Sequence, residues 1–116
     1  MLKIYYFKEE ENKFLSEFET NFTVKSVTED SRCPKNVQCV WQGVASVELE
    51  LMGTYTRPKT VVLSTISNPE KGYFSTIDFN DLTITLEEIS PYPTQNKNFD
   101  TEKGNYTIGI SIQKKQ

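Results

Sequence analysis

The chain has 116 residues, a formal net charge of −3 and no histidine. That length suits one domain with an apolar core of its own, and the acidic balance with scattered lysines argues against nucleic acid as a partner. Without histidine the usual Ser–His and Cys–His nucleophile systems are excluded, and no apolar run approaches the roughly 20 residues that span a bilayer.

Period-two alternation of apolar and polar residues runs through the chain, whereas helical periodicity is missing. In chain order, the predicted strands lie at residues 2–6, 14–15, 22–27, 45–51, 61–63, 73–74, 82–86 and 106–112. Val27 falls on the opposite parity from Phe22 and Val24, which predicts a bulge or a second buried face in that strand.

Turn residues separate these strands. The charged segment 8–13 lacks an apolar stripe, which predicts a solvated loop or hairpin connection, and residues 90–100 form the longest predicted loop. Seven or eight short strands, each with one buried and one solvent-exposed face, predict a single all-β domain over residues 1–116. We expect a two-sheet antiparallel β-sandwich of immunoglobulin-like architecture, with a partly open β-barrel as the alternative.

Cys33 and Cys39 are the only cysteines, and the only tryptophan, Trp41, follows the second of them by two residues. Such a pair is compatible with a disulfide, two free thiols or half of a metal site. Zinc needs about four ligands, which this chain does not offer in cysteine and histidine, and a redox pair is usually spaced Cys-x-x-Cys. We therefore predict a structural disulfide, with free thiols as the alternative.

Asp30, Ser31 and Arg32 precede Cys33-Pro34, and Cys39 is followed at alternate positions by Trp41, Gly43, Ala45 and Val47. This arrangement resembles a motif of small bacterial secreted and lipoprotein-type domains of unassigned function. Residues 86–93 also resemble the Leu-x-x-Ile-x-Pro-Tyr-Pro segment of that group. The resemblance, over about a third of the chain, implies an extracellular, periplasmic or cell-envelope protein. If the protein is exported, we expect that a signal peptide or lipid anchor has been removed from this chain.

Three residues are candidates for binding. Arg32 is interpreted as a structural group that pairs with Asp30 or a neighbouring carboxylate or, alternatively, as a fork presented to an acidic or glycan ligand. Trp41 is interpreted as packing over the disulfide or, alternatively, as an exposed platform, and Tyr92, between two prolines, suits recognition from a rigid loop.

The predicted function is a non-enzymatic binding module, exported or at the cell envelope, whose partner is a protein or a glycan. The alternative is a protease inhibitor in which the closed loop 33–39 presents Arg32 or Lys35 to a protease. A third hypothesis is a hydrolase with two carboxylates about 5–10 Å apart in a cleft. Glu87 and Glu88, adjacent on a strand, are expected to face opposite ways. We expect no catalytic residue, cofactor or metal site, since residues 78–81 lack the glycine and distal glutamate of a calcium loop.

Overall fold

The structure, a computed structural model, describes residues 3–34, 38–54, 57–94 and 99–115, except for the side chains of residues 99 and 100. Within these residues it contains eight strands, one 3-10 turn and one short helix. In chain order they are β1 (Ile4–Lys8), β2 (Asn12–Leu15), β3 (Thr20–Asp30), β4 (Ala45–Gly53), β5 (Lys59–Ser64), the 3-10 turn (Pro69–Lys71), β6 (Thr76–Phe79), β7 (Leu82–Ser90), α1 (Phe99–Glu102) and β8 (Thr107–Lys114).

The strands form two four-stranded sheets, and every neighbouring pair is antiparallel. The first sheet has the order β1-β8-β7-β6 and the second the order β2-β3-β4-β5. Within each sheet, strands that follow one another in the chain lie side by side, and β1 pairs with β8. The chain passes from one sheet to the other between β1 and β2 and again between β5 and β6. The predicted two-sheet antiparallel sandwich is confirmed. The barrel alternative is wrong, because over the described residues the two sheets do not close on each other.

The core lies between the sheets and is built from the apolar positions of the alternating strands. Its members include Phe7, Phe22, Val24, Val47, Leu49, Leu51, Leu63, Leu82, Ile84, Ile108 and Ile110. Burying each such side chain stabilises the fold by about 1.5–3 kcal/mol relative to its exposure. The hydrophobic effect on these alternating faces therefore forces the two sheets together.

The bulge predicted near Val27 is confirmed. The pairing of β3 with β4 shifts register between Val24 and Ser26 and again between Val27 and Glu29. An extra residue reverses the facing of those that follow it. Val24 and Val27 therefore both reach the core. A third shift, in β7 between Leu86 and Glu88, was not predicted.

Segment 8–13 connects the two sheets rather than forming a hairpin, because β1 and β2 belong to different sheets. The Glu9 carboxylate accepts the backbone N–H groups of Val27 and Tyr106, each at 3.0 Å. Since Val27 belongs to the second sheet and Tyr106 directly precedes β8 of the first, this single side chain ties one sheet to the other.

Two other predictions differ from the structure. Residues 73–74 form no strand, because Tyr73 makes only an isolated bridge with Asn68, whereas the four-residue edge strand β6 was missed. The predicted loop 90–100 includes the start of α1, while its residues 95–98, like Leu2 of the first predicted strand, lie outside the described residues.

Candidate functional site

One side of the sandwich is closed by a short segment that touches both sheets. The carbonyl of Phe74 accepts the N–H of Ser64, at the end of β5, at 2.8 Å. The carbonyl of Ser75 accepts the N–H of Leu86, on β7, at 2.9 Å. The residues that follow Ser64 and Leu86 line a cleft of about 430 Å³. The cleft therefore lies next to the segment of Phe74 and Ser75, beyond its hydrogen bonds to Ser64 and Leu86.

The hairpin of β3 and β4 continues past the ends of its strands toward the cleft. The N–H of Ser31 donates to the Val44 carbonyl at 2.8 Å, and the N–H of Cys33 donates to the Gln42 carbonyl at 2.9 Å. Beyond this last pair the Cys33–Cys39 disulfide closes the loop, with the two Cα atoms 6.0 Å apart. The predicted disulfide is confirmed. It covalently closes the tip of the longest hairpin. In the chain-entropy model, a disulfide that closes so small a loop raises the free energy of unfolding by about 2–2.5 kcal/mol.

Gly43 lets the two arms of this hairpin tip approach closely. Its φ is +79°, and a Cβ at this position would lie 1.9 Å from the carbonyl oxygen of Ser31. The Ser31 hydroxyl accepts the N–H of Val44 at 3.1 Å across the same crossing. Only glycine is compatible with so close an approach at a left-handed φ.

Arg32 fixes the hairpin tip to the edge of the first sheet. Its Nε and one terminal nitrogen donate to the two oxygens of Asp30, each at 2.8 Å. The other terminal nitrogen donates to the Ile89 carbonyl at 2.7 Å, and the Pro91 carbonyl accepts a further bond at 2.9 Å. The Arg32 side chain is only 6% exposed. Its guanidinium therefore acts as the structural group that pairs with Asp30, rather than as a fork directed at solvent.

Asp30 is the anion of this network, with its side chain 1% exposed. The Tyr106 hydroxyl donates to it at 2.9 Å. Burial alone would raise the pKa of Asp30, but the hydrogen bonds from Arg32 and Tyr106 and the charge of Arg32 lower it below the ordinary value. Burial and the hydrogen bond to Asp30 raise the pKa of Tyr106. The ionised carboxylate and the neutral phenol are thus the stable pair.

Tyr92 stacks on Arg32, with the guanidinium carbon 4.7 Å from the ring centroid. The Tyr92 side chain is nevertheless 43% exposed. One face of the ring is held by a buried cation that is itself fixed by hydrogen bonds, so the position of the ring is set before any ligand arrives.

Trp41 is 41% exposed, so its ring is half-buried rather than enclosed in the core. The ammonium of Lys71, from the 3-10 turn, lies 4.0 Å from its ring centroid. This ring too is held from one side by a cation. Its neighbour Val40 is fully exposed, so the hairpin tip carries apolar surface.

The cleft combines side chains from both sheets and from the hairpin tip. Its lining consists of Arg32, Gln42, Gly43, Thr65, Ile66, Glu87, Glu88, Ile89, Ser90 and Tyr92. Of the three predicted binding residues, Arg32 and Tyr92 meet here, whereas Trp41 lies beside the cleft as the chain neighbour of Gln42.

Glu87 and Glu88 lie on the same outer face of the first sheet, so the expectation that they face opposite ways is wrong. The Ser111 hydroxyl donates to Glu87 at 2.6 Å. The side chain of Glu88 lies over Gly109, two residues from Ser111 on the same face of β8. A hydrogen bond from the Tyr6 hydroxyl to Glu88 contributes to a raised pKa of Tyr6. The β7 bulge causes this shared orientation, because an extra residue breaks the alternation.

A scan of protein-family models and searches of curated proteins and of solved structures found no match to this chain. Among the described parts of the chain, no helix is long and apolar enough to cross a lipid bilayer.

Proposed function

We propose that the protein is a non-enzymatic binding module that works outside the cytoplasm, at or beyond the cell envelope. Its ligand is an envelope protein or glycan, bound at the end of the sandwich where Trp41, Tyr92 and the cleft lie. We call this region the tip surface. The observation that carries the proposal is the pair of exposed rings, each held on one side by a cation.

Held, exposed aromatic rings favour binding for a physical reason. Tyrosine and tryptophan contribute disproportionately to interfaces, because they remove a large area from water with little flexibility to lose. Rings that are already positioned also reduce the ordering cost of association. The disulfide supports the same conclusion by restricting the loop that precedes Trp41.

The disulfide supports the proposed compartment. Stable disulfides persist in oxidising environments and are rare in the reducing cytosol. The resemblance of residues 30–47 to bacterial secreted and lipoprotein-type domains points to the same compartment.

The two alternatives have less support. An inhibitor that presents Arg32 is disfavoured because the Arg32 side chain is buried and bonded to carbonyls, while Lys35 lies outside the described residues. The shared face of Glu87 and Glu88 removes one objection to a carboxylate hydrolase. Inhibition of trypsin-like or cysteine proteases would favour the first alternative. Hydrolysis of envelope glycans by the wild type but not by Glu87→Gln would favour the second.

The proposal is tested by binding of the oxidised protein to separated envelope proteins and envelope glycans. We expect one fraction to bind, and Trp41→Ala or Tyr92→Ala to weaken that binding by about 10-fold or more, as for central interface aromatics. Phe14→Ala is the control, because Phe14 is another exposed ring, on β2 in the second sheet. Equal loss in all three variants, or no binding to either fraction, would contradict the proposal.

A further inference from the structure

We propose that the cleft beside the tip surface binds one unit of an uncharged saccharide, such as a neutral hexose or N-acetylhexosamine residue of a glycan. This inference rests on the proposed function and specifies the ligand of the same site. Three features of the cleft carry it: its size, its charge and the chemistry of its lining.

The size of the cleft suits a small ligand. Its volume of about 430 Å³ falls within the roughly 300–1,000 Å³ typical of small-molecule sites. It is open on one side, because the closure by Phe74 and Ser75 stops at Ser64 and Leu86. A chain of sugars can therefore continue into solvent while one unit occupies the cleft.

The charge of the cleft excludes an anionic ligand. Arg32 is the only cation in its lining, and its charge is neutralised by Asp30 at 2.8 Å. Glu87 and Glu88 also line the cleft, with side chains that extend over the outer face of the first sheet to Ser111 and Tyr6. A phosphate, sulfate or uronic acid would thus find no uncommitted cation among the described lining residues.

The lining offers the two kinds of contact that a sugar uses. Tyr92 supplies an exposed ring for the apolar C–H face of a pyranose. Polar groups for hydroxyls come from Gln42, Thr65 and Ser90.

Other ligand classes fit less well. An extended peptide that added a strand to β7 would need the backbone groups of Ile89, but the Ile89 carbonyl is already bonded to Arg32 at 2.7 Å. An amine would need an unpaired carboxylate in the cleft, but Asp30 is paired with Arg32 and the side chains of Glu87 and Glu88 lie on the outer face of the first sheet.

The test is a titration of the oxidised, ¹⁵N-labelled protein followed by NMR. The probes are neutral hexose and N-acetylhexosamine methyl glycosides and their disaccharides, with a uronic acid and lysine methyl ester as charged comparisons. We expect a neutral probe to shift the amide signals of Gln42, Thr65 and Tyr92. Tyr92→Ala and, as a second variant, Gln42→Ala should weaken binding by about 10-fold or more. Tyr92→Phe, which keeps the ring, and Phe14→Ala should both bind as the wild type does.

Three results would overturn the inference. They are the absence of shifts with every neutral probe, shifts confined to residues outside the cleft, and binding of the uronic acid or the amine in preference to neutral sugars. If an envelope protein binds the tip surface while no sugar does, the proposed function stands and the saccharide site is wrong. If neither binds, both fail.

Discussion

At the scale of single residues, Arg32 is a buried cation whose removal would leave Asp30 charged and enclosed. Breaking a buried pair by removing one partner costs about 3–5 kcal/mol. We expect Arg32→Ala to lower the free energy of unfolding by that amount, measured by urea denaturation. Lys115→Ala is the control, because it breaks an ion pair with Asp78 in which both side chains are well exposed, and exposed pairs contribute about 0–1 kcal/mol. Similar losses in both variants would contradict the structural role of Arg32.

The lowered pKa of Asp30 predicts a specific loss of stability in acid. The folded value lies below the ordinary one, so the ionised network stabilises the fold above about pH 4. That contribution is lost as the pH falls through the folded pKa. Between about pH 4 and pH 2 the free energy of unfolding should therefore fall more steeply in the wild type than in Asp30→Asn. Equal slopes for the two proteins would show that Asp30 does not contribute this dependence.

Sequence patterns predicted the residue types at the tip but only some of their roles. The pairing of Arg32 with Asp30 was predictable, because the two residues are neighbours in the chain. The bonds from Arg32 to Ile89 and Pro91 join residues far apart in sequence, and only the packed sheets bring them together. The same holds for the cleft residues Gln42 and Thr65, which carry no distinguishing local signal.

At the scale of elements, the tip of the β3–β4 hairpin depends on Gly43. Gly43→Ala adds a left-handed strain of about 1–2 kcal/mol and a clash with the backbone of Ser31. Gly72→Ala is the matched control, because Gly72 has a φ of +81° and open space around its Cβ position. We expect the first variant to lose at least about 2 kcal/mol more than the second in thermal or urea unfolding. Equal losses of unfolding free energy in the two variants would mean that the close approach of Gly43 to Ser31 does not contribute to stability.

Strand prediction succeeded where alternation was long and failed where it was short. The faces of β4 and β8 carry enough apolar residues for their pattern to be unambiguous. The edge strand β6, Thr76–Phe79, has only two apolar residues. Two alternating apolar residues occur as often in a loop. The β7 bulge was missed because Leu86-Glu87-Glu88-Ile89 also fits a strand end followed by a loop. The β3 bulge was predictable because Val27 interrupts the alternation of apolar and polar residues in a longer strand.

At the scale of the whole molecule, the tip is connected to both sheets through Arg32, and one core fills the space between them. We therefore expect one cooperative unfolding transition, as for small single domains. Trp41, the only tryptophan, reports on the tip by fluorescence, while far-ultraviolet circular dichroism reports on the sheets. The two transitions should coincide. A fluorescence change at lower denaturant would show that the tip unfolds separately.

Trapping the thiols of the protein in its native cells, before lysis, tests covalent closure of the tip and the compartment inferred from it most directly. Cys33 and Cys39 are the only cysteines, so alkylation followed by intact-mass measurement has a simple outcome. We predict an unalkylated protein, lighter than the reduced chain by the mass of two hydrogens, which becomes doubly alkylated only after reduction. Double alkylation of the untreated protein would contradict both the closed tip and its location outside the reducing cytosol.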